Sequence, residues 1–324
     1  MDKKKYSIAG INFEITLNSN KYKISDLFGE PQPYNLYINY YIKENQDENI
    51  DERIIVNNSK KTSYEIKQNT FIINTNLNNI ILNDYNHQFS IFGNKGIIQK
   101  YILHILEKKY NRIVLHGCSL INDNNDVIIG LGGSGSGKSV LINIGLQRGW
   151  KLISTEQTII DKKMNIYKGN VYDNVSPLSQ ELISSKLPKA KIFSNKRLIE
   201  PLGQKIFVDM NPYVISTDKI KIDLEKLNII VVNFNGNDNI RDIEDTDYLL
   251  RVLQISSSEK ISFPAIIANE LVDFQYLGSS KLRESIIDKL IENKSKRIIL
   301  SNGFNGFNEF FDKFGGNKND KKNS

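Results

Sequence analysis

Residues 132–139 read Gly132, Gly133, Ser134, Gly135, Ser136, Gly137, Lys138, Ser139, a spacing that meets G-x-x-x-x-G-K-[ST] at every fixed position. The residue types explain the chemistry they can do. Glycines let backbone N–H groups turn inward around phosphate oxygens without a Cβ in the way, and a helix starting there adds its positive dipole end. Lys138 can place an ammonium on the β- and γ-phosphates, and the Ser139 hydroxyl suits Mg²⁺. Val140 closes the segment as the first apolar residue of the helix. A chance match in a chain of this length has a frequency of roughly 1%, and the apolar run before it lowers that further. The segment is therefore expected to bind ATP with Mg²⁺ and not to be a bare Gly/Ser turn.

A P-loop needs a carboxylate, and its usual source is missing. The apolar run Leu227–Phe234 ends Val231-Val232-Asn233-Phe234-Asn235, with no acid. There is also no D-x-x-G switch with an N-K-x-D guanine reader at GTPase spacing, since the strings Asp312–Gly315 and Asn317–Asp320 stand side by side, and no ABC-type signature. Glu156, at the end of the short strand after the loop's helix, is the best-placed substitute as metal ligand or base; its alternative is a solvated charge. His116 reads from its neighbours alone as a core histidine at a strand end, or as a group that orients an acid or moves a proton. Lys196 and Arg197 are either surface charge or cations that neutralise a transferring phosphate. Cys118 reads as a small buried hydrophobe.

The elements that must position these groups follow from periodicity. Strand patterns occupy Tyr6–Leu17, Tyr34–Ile42, Arg53–Val56, Thr62–Ile66, Thr70–Ile73 and Ile80–Leu82, which predicts a small antiparallel N-terminal domain over 1–94. From Gly96 the period becomes helical, through Ile97, Ile98, Tyr101, Ile102, Ile105 and Leu106. Runs at Ile113–His116 and Ser119–Ile121 precede a strand, Val127–Leu131, that feeds the glycine loop, and Val140–Leu146 continues as a helix. Lys151–Ser154 reads as a strand, Asn165–Leu187 as a mixed region with turns, and Leu227–Phe234 as a buried central strand. Helices are expected at Asp245–Ile255, Pro264–Tyr276 and Lys281–Glu292, with a late strand at Arg297–Leu300. Phe304, Phe307, Phe311 and Phe314 fall at helix-face spacing, which predicts a terminal helix docked on its own core or on a second copy. The catalytic domain is expected over 95–315 and a disordered tail over 316–324.

Bulk properties limit the classes. The chain has 324 residues, 40% of them hydrophobic and 25% charged, with no apolar run long enough for a bilayer and no apolar segment after Lys3–Lys5 to act as a secretory signal. A cytoplasmic, non-membrane protein is the expectation. One cysteine and three histidines, His87, His104 and His116, leave no zinc-site spacing. The net charge of +6 is spread through the chain without an Arg-rich or aromatic-interleaved stripe, so no specific nucleic-acid partner is expected.

Three segments together, Leu115-His116-Gly117, the glycine loop, and Arg148-Gly149-Trp150-Lys151-Leu152-Ile153-Ser154-Thr155-Glu156, resemble the catalytic domain of the HPr kinase/phosphorylase family. The resemblance covers about residues 96–165. It implies an α/β fold with a P-loop kinase core related to phosphoenolpyruvate carboxykinase, beside a smaller β-rich N-terminal domain. It also implies phosphoryl transfer from Mg-ATP to a hydroxyl, with His116 beside the acidic pair, Lys138 and Ser139 on phosphates and metal, and self-association into oligomers. The chain departs from the family where Thr155-Glu156 stands for Asp-Asp, so the first acid, the family's base, is absent. The second family signature, a Gly- and acid-containing stretch, is not recognisable. The leading expectation is a kinase acting on a hydroxyl of a protein, peptide or small molecule. The alternatives are a nucleotide-binding regulator without transfer, and an ATPase coupled to motion.

Overall fold

The structure is a computed structural model of the chain and describes residues 1–24, 42–44, 46, 49–82, 96–175, 186–200, 203–237, 239–262, 265–267, 270–274, 278–292 and 296–314. The chain is a mixed α/β protein. The expected strand at Tyr34–Ile42, apart from residue 42, and the tail at 316–324 lie outside the described residues.

The N-terminal sheet is built from β1 (Asp2–Ile8), β2 (Ile11–Asn18), β3 (Ile42–Glu44), β4 (Glu52–Asn58), β5 (Ser63–Lys67) and β6 (Thr70–Thr75), in the order β3-β1-β2-β4-β6-β5. Alternation sends Ile11, Phe13, Ile15 and Leu17 of β2, Ile54 and Val56 of β4, and Phe71 and Ile73 of β6 into one buried layer. The sheet is mixed and not antiparallel, because β2, β4 and β6 run parallel to one another. Ile80–Leu82 is not a strand; it ends a short helix, α1 (Leu77–Leu82), whose start is capped by the Asn76 side chain accepting from the Asn78 N–H.

Helix α2 (Ile97–Lys108) covers that sheet and is buried on all sides from Ile97 to Glu107. Its apolar residues join the N-terminal layer in one cluster, with Tyr101 stacked on Phe71 at 4.3 Å between ring centroids. Its polar residues face the other way. Gln99 donates to Gln157 at 3.3 Å, Lys100 to the Ile261 carbonyl at 2.9 Å, and Glu107 accepts from the Ser279 N–H at 3.0 Å.

The larger sheet comprises β7 (Arg112–Ile121), β8 (Val127–Leu131), β9 (Lys151–Ser154), β10 (Gln157–Asp161), β11 (Asn165–Tyr167), β15 (Lys219–Lys221), β16 (Leu227–Asn233), β17 (Ile240–Asp242) and β20 (Lys296–Ser301). Its order is β15-β11-β10-β7-β8-β16-β20-β17, with β9 also on β7. The two runs around 113–121 form one strand. The intervening Gly117 is part of it, since a Cβ there would lie 2.7 Å from the Gly130 carbonyl oxygen of the neighbouring strand. β8, β16 and β20 are parallel and buried on both faces. On one face Ile128, Ile230, Val232 and Leu300 pack with α3 (Lys138–Gln147) and α6 (Gly303–Phe314). On the other, Ile129, Leu131 and Ile229 pack with α4 (Thr246–Ser262) and α5 (Ser280–Ile291).

Two small sheets complete the fold. β12 (Tyr172–Val175), β13 (Lys191–Glu200) and β14 (Gly203–Asp209) are antiparallel in the order β12-β14-β13. β18 (Ala265–Ile267) and β19 (Glu270–Val272) form a hairpin where a helix was expected over Pro264–Tyr276. Ala265 and Ile267 of the first strand are buried with the α2 cluster, while Leu271 of the second is exposed. The C-terminal phenylalanines do form a helix docked on the chain's own core, with Phe307, Phe310 and Phe311 buried. Among the described residues no helix is long and apolar enough to cross a membrane.

Candidate functional site

Strand β8 ends at Leu131 and the chain turns through Gly132–Gly137 into α3, whose N-cap is Gly137. Gly137 has φ +106, and a Cβ on it would lie 2.9 Å from the Cβ of Phe234, so backbone angle and packing both require glycine. Gly133 and Gly135 have nothing within 4 Å of a virtual Cβ. Their surroundings are open space of the kind an anion needs for close approach to backbone. Ser134 is exposed, Ser136 half-buried, and Val140 buried in the core beneath α3. The loop is tied to the neighbouring strand by the Phe234 N–H donating to the Ser136 carbonyl at 2.8 Å.

Lys138 donates from Nζ to the carbonyls of Gly132 at 2.6 Å and Gly133 at 2.8 Å, which holds its ammonium across the loop. Burial lowers its pKa, opposed by the negative charge of Glu156, Glu259 and Asp173 and by the Cys118 thiol. Three carboxylates far apart in sequence thus act on the charge of one lysine. Cys118 itself is fully buried and burial pushes its thiol up to about 12, which suits a packing residue and not a nucleophile.

Ser139 donates to Oδ1 of Asp173 at 3.0 Å. Asp173 lies in β12, and the sequence reading did not single it out because no motif marks it; it lies in a turn-rich stretch 34 residues after Ser139. A serine hydroxyl beside a carboxylate is the protein part of a Mg²⁺ site whose other ligands are phosphate oxygens and water. Among the described residues no group of three or more His, Cys, Asp or Glu is close enough to hold a metal alone. The donor set fits a cation brought in with a phosphate ligand.

Thr155 explains how Asp173 gets there. β9 and β10 run as one antiparallel partner of β7, interrupted at Thr155 and Glu156, with a register slip beside Ser119. The Thr155 hydroxyl, buried, lies 2.7 Å from the Tyr172 carbonyl and 3.2 Å from that of Asn170, while its N–H donates to Asn170 at 2.8 Å. It therefore anchors the residue immediately before Asp173. An aspartate at 155 would set its oxygens against two carbonyl acceptors.

Glu156 leaves the same interruption toward His116, with Oε1 3.7 Å from Nε2. The other ring nitrogen, Nδ1, is hydrogen-bonded to Glu259 of α4, and Ser256 of the same helix donates to the His116 carbonyl at 3.1 Å. The imidazole is buried and lies between two partly exposed carboxylates. An Nδ1–H donated to Glu259 leaves Nε2 as a proton acceptor facing Glu156. Glu259 is the second residue the sequence did not reveal; on α4 it reads as one more surface charge.

His116, Lys138, Ser139 and Glu156 are thus brought together, Glu156 on the histidine side of the loop and Asp173 on the serine side. Arg197 is not joined to them by any described contact. Its backbone lies in β13 with Lys196, in the stretch between Ser194 and Ile199 where the ladder to β14 slips, and its side chain is outside the described residues. Neither protein-family models nor curated protein sequences match this chain.

Proposed function

We propose that the protein binds Mg-ATP at the glycine loop and transfers the γ-phosphoryl group to a hydroxyl of a protein, peptide or small molecule, as a P-loop phosphotransferase of the HPr kinase type. The observation that carries this reading is the division of labour around Lys138: Ser139 and Asp173 on one side, and a Glu259–His116–Glu156 chain on the other. The first pair would hold the metal, which neutralises phosphate charge when bound. Lys138 would exchange its loop carbonyls for the β- and γ-phosphate oxygens. The acceptor hydroxyl would give its proton to Nε2 of His116 or to Glu156. Its oxygen would then bond to Pγ as the bond from Pγ to the β,γ-bridging oxygen breaks, releasing ADP.

The test is transfer of label from γ-labelled Mg-ATP into a size-fractionated host lysate by wild-type protein and by Lys138→Ala, Asp173→Asn and Glu259→Gln. Label in a discrete acceptor, lost in the first two and reduced with an altered pH profile in the third, is the expected result. Transfer retained by Lys138→Ala would overturn the assignment. ATP binding without label in any fraction would favour a nucleotide-binding regulator, a reading that Thr155 supports because its hydroxyl is committed to backbone where the family has an acid.

A further inference from the structure

The parallel strands β8, β16 and β20 all end on the same edge of the large sheet, where open α/β sheets bind ligands. Beyond β8 lies the glycine loop. The chains at the ends of the other two strands carry a related composition, Asn233-Phe234-Asn235 at the end of β16 and Asn302-Gly303-Phe304-Asn305 after β20. Backbone hydrogen bonds tie these segments to each other and to the loop. Phe234 N–H donates to Ser136, Gly303 N–H to Phe234 at 2.8 Å, and Asn302 N–H to Gly236 at 2.9 Å.

The aromatic rings here are arranged differently from the core rings beneath them. Phe307 is fully buried and meets Phe234 edge-on at 5.9 Å, supporting it from the core side. Phe234 and Phe304, 5.4 Å apart and nearly perpendicular, are only partly buried. Asn302 and Gly303 both adopt positive φ, +58 and +52, and Gly303 packs on the Phe234 ring. Consecutive left-handed residues turn the chain so that Phe304 stands beside Phe234 at the rim of the loop. Asn233 and Asn235 flank Phe234 in the chain, Asn302 and Asn305 flank Gly303 and Phe304, and all four are exposed, with the Asn302 carboxamide donating to that of Asn239.

We propose that this edge is the base subsite of the bound nucleotide, with Phe304 as the stacking face, Phe234 set edge-on against it, and the neighbouring asparagine carboxamides reading the edge of adenine. A carboxamide can both accept from an exocyclic amine and donate to a ring nitrogen, the pair that adenine presents. Aromatic stacking serves the face of any base, so the carboxamides supply preference and the rings supply affinity. The proposal rests on the reading of the glycine loop as a triphosphate site.

Binding of Mg-ATP and of Mg-tripolyphosphate by calorimetry separates the two. In Phe304→Ala the affinity for ATP is expected to fall about tenfold, with tripolyphosphate affinity unchanged. In Phe304→Trp, ATP but not tripolyphosphate should quench the new indole emission above the constant background of buried Trp150. Unchanged ATP affinity in Phe304→Ala, or an equal loss for both ligands, would overturn the base subsite while leaving the loop assignment standing. Wild-type protein that binds neither ligand would overturn both.

Discussion

At the scale of single residues, the site is decided by what each side chain is already bonded to. Thr155 stands where the resemblance places a first acid, yet its hydroxyl is committed to the carbonyl that precedes Asp173. Placing an acid there, as in the HPr kinase-type sequences the chain resembles, is therefore expected to fail. Thr155→Asp buries a carboxylate against two carbonyl oxygens and should destabilise the protein by about 2–3 kcal/mol, with weaker Mg-ATP binding as Asp173 shifts. Urea unfolding and calorimetry check the two parts. A gain in transfer activity would show that the acid is used as in the family. His104 gives a residue-level pH effect. Burial, with lesser help from Lys108 and Lys109, lowers its pKa from 6.5 to about 4. The unfolded chain therefore takes up a proton below pH 6.5 that the folded chain refuses until about pH 4, so stability rises with pH across that window. His104→Leu should flatten the urea-midpoint profile between those limits, by about 3 kcal/mol over its span.

At the scale of elements, the glycine loop shows two different reasons for the same residue type. Gly137 is needed by the fold, through φ +106 and the contact with Phe234. Gly137→Ala should cost about 2 kcal/mol of stability as well as ligand affinity. Gly133 borders open space, so Gly133→Ala should leave stability within about 0.5 kcal/mol while its methyl group obstructs a phosphate. Thermal unfolding together with Mg-ATP titration distinguishes them; equal destabilisation by both would contradict the open-space reading. The helix after the loop and the strand before it were legible because alternation and glycine spacing are local signals. The hairpin at β18 and β19 was not, since Ala265–Ile267 and Glu270–Val272 are too short for their period to separate strand from helix until α2 buries one side.

At the scale of the whole molecule, α2 joins the two sheets. Glu52 of β4 is buried and accepts from Tyr101 at 2.7 Å, from Tyr110 at 3.2 Å and from Lys109 at 2.9 and 3.1 Å. That network raises the pKa of both tyrosines, burial being the largest cause and the Glu52 charge acting in the same direction. Glu52→Ala leaves two tyrosine hydroxyls without their acceptor and takes from Lys109 its carboxylate, leaving it the Gln68 carbonyl and Asn69 side chain, and should cost about 2–3 kcal/mol. One hydrophobic cluster runs from the N-terminal sheet through α2 to Val114, Ile159 and Tyr167 of the large sheet. Loss of the seam should therefore lower a single unfolding transition seen by all probes, and two separated transitions in the wild-type protein would show that the halves are independent. The same helix contacts Gln157, next to Glu156, and Ile261, two residues beyond Glu259.

What the amino-acid order determined by itself was local: the glycine-loop spacing, the apolar strands on either side of it, and the terminal phenylalanine helix. Each depends on residues within a few positions of one another, so spacing and period suffice to read them. Tertiary structure decided which acids meet the loop. Asp173 is 34 residues from Ser139 and Glu259 is 143 residues from His116. A carboxylate's role depends on what lies within a few ångströms of it, and those neighbours come from β12 and α4, elements whose placement follows from packing and pairing over the whole chain.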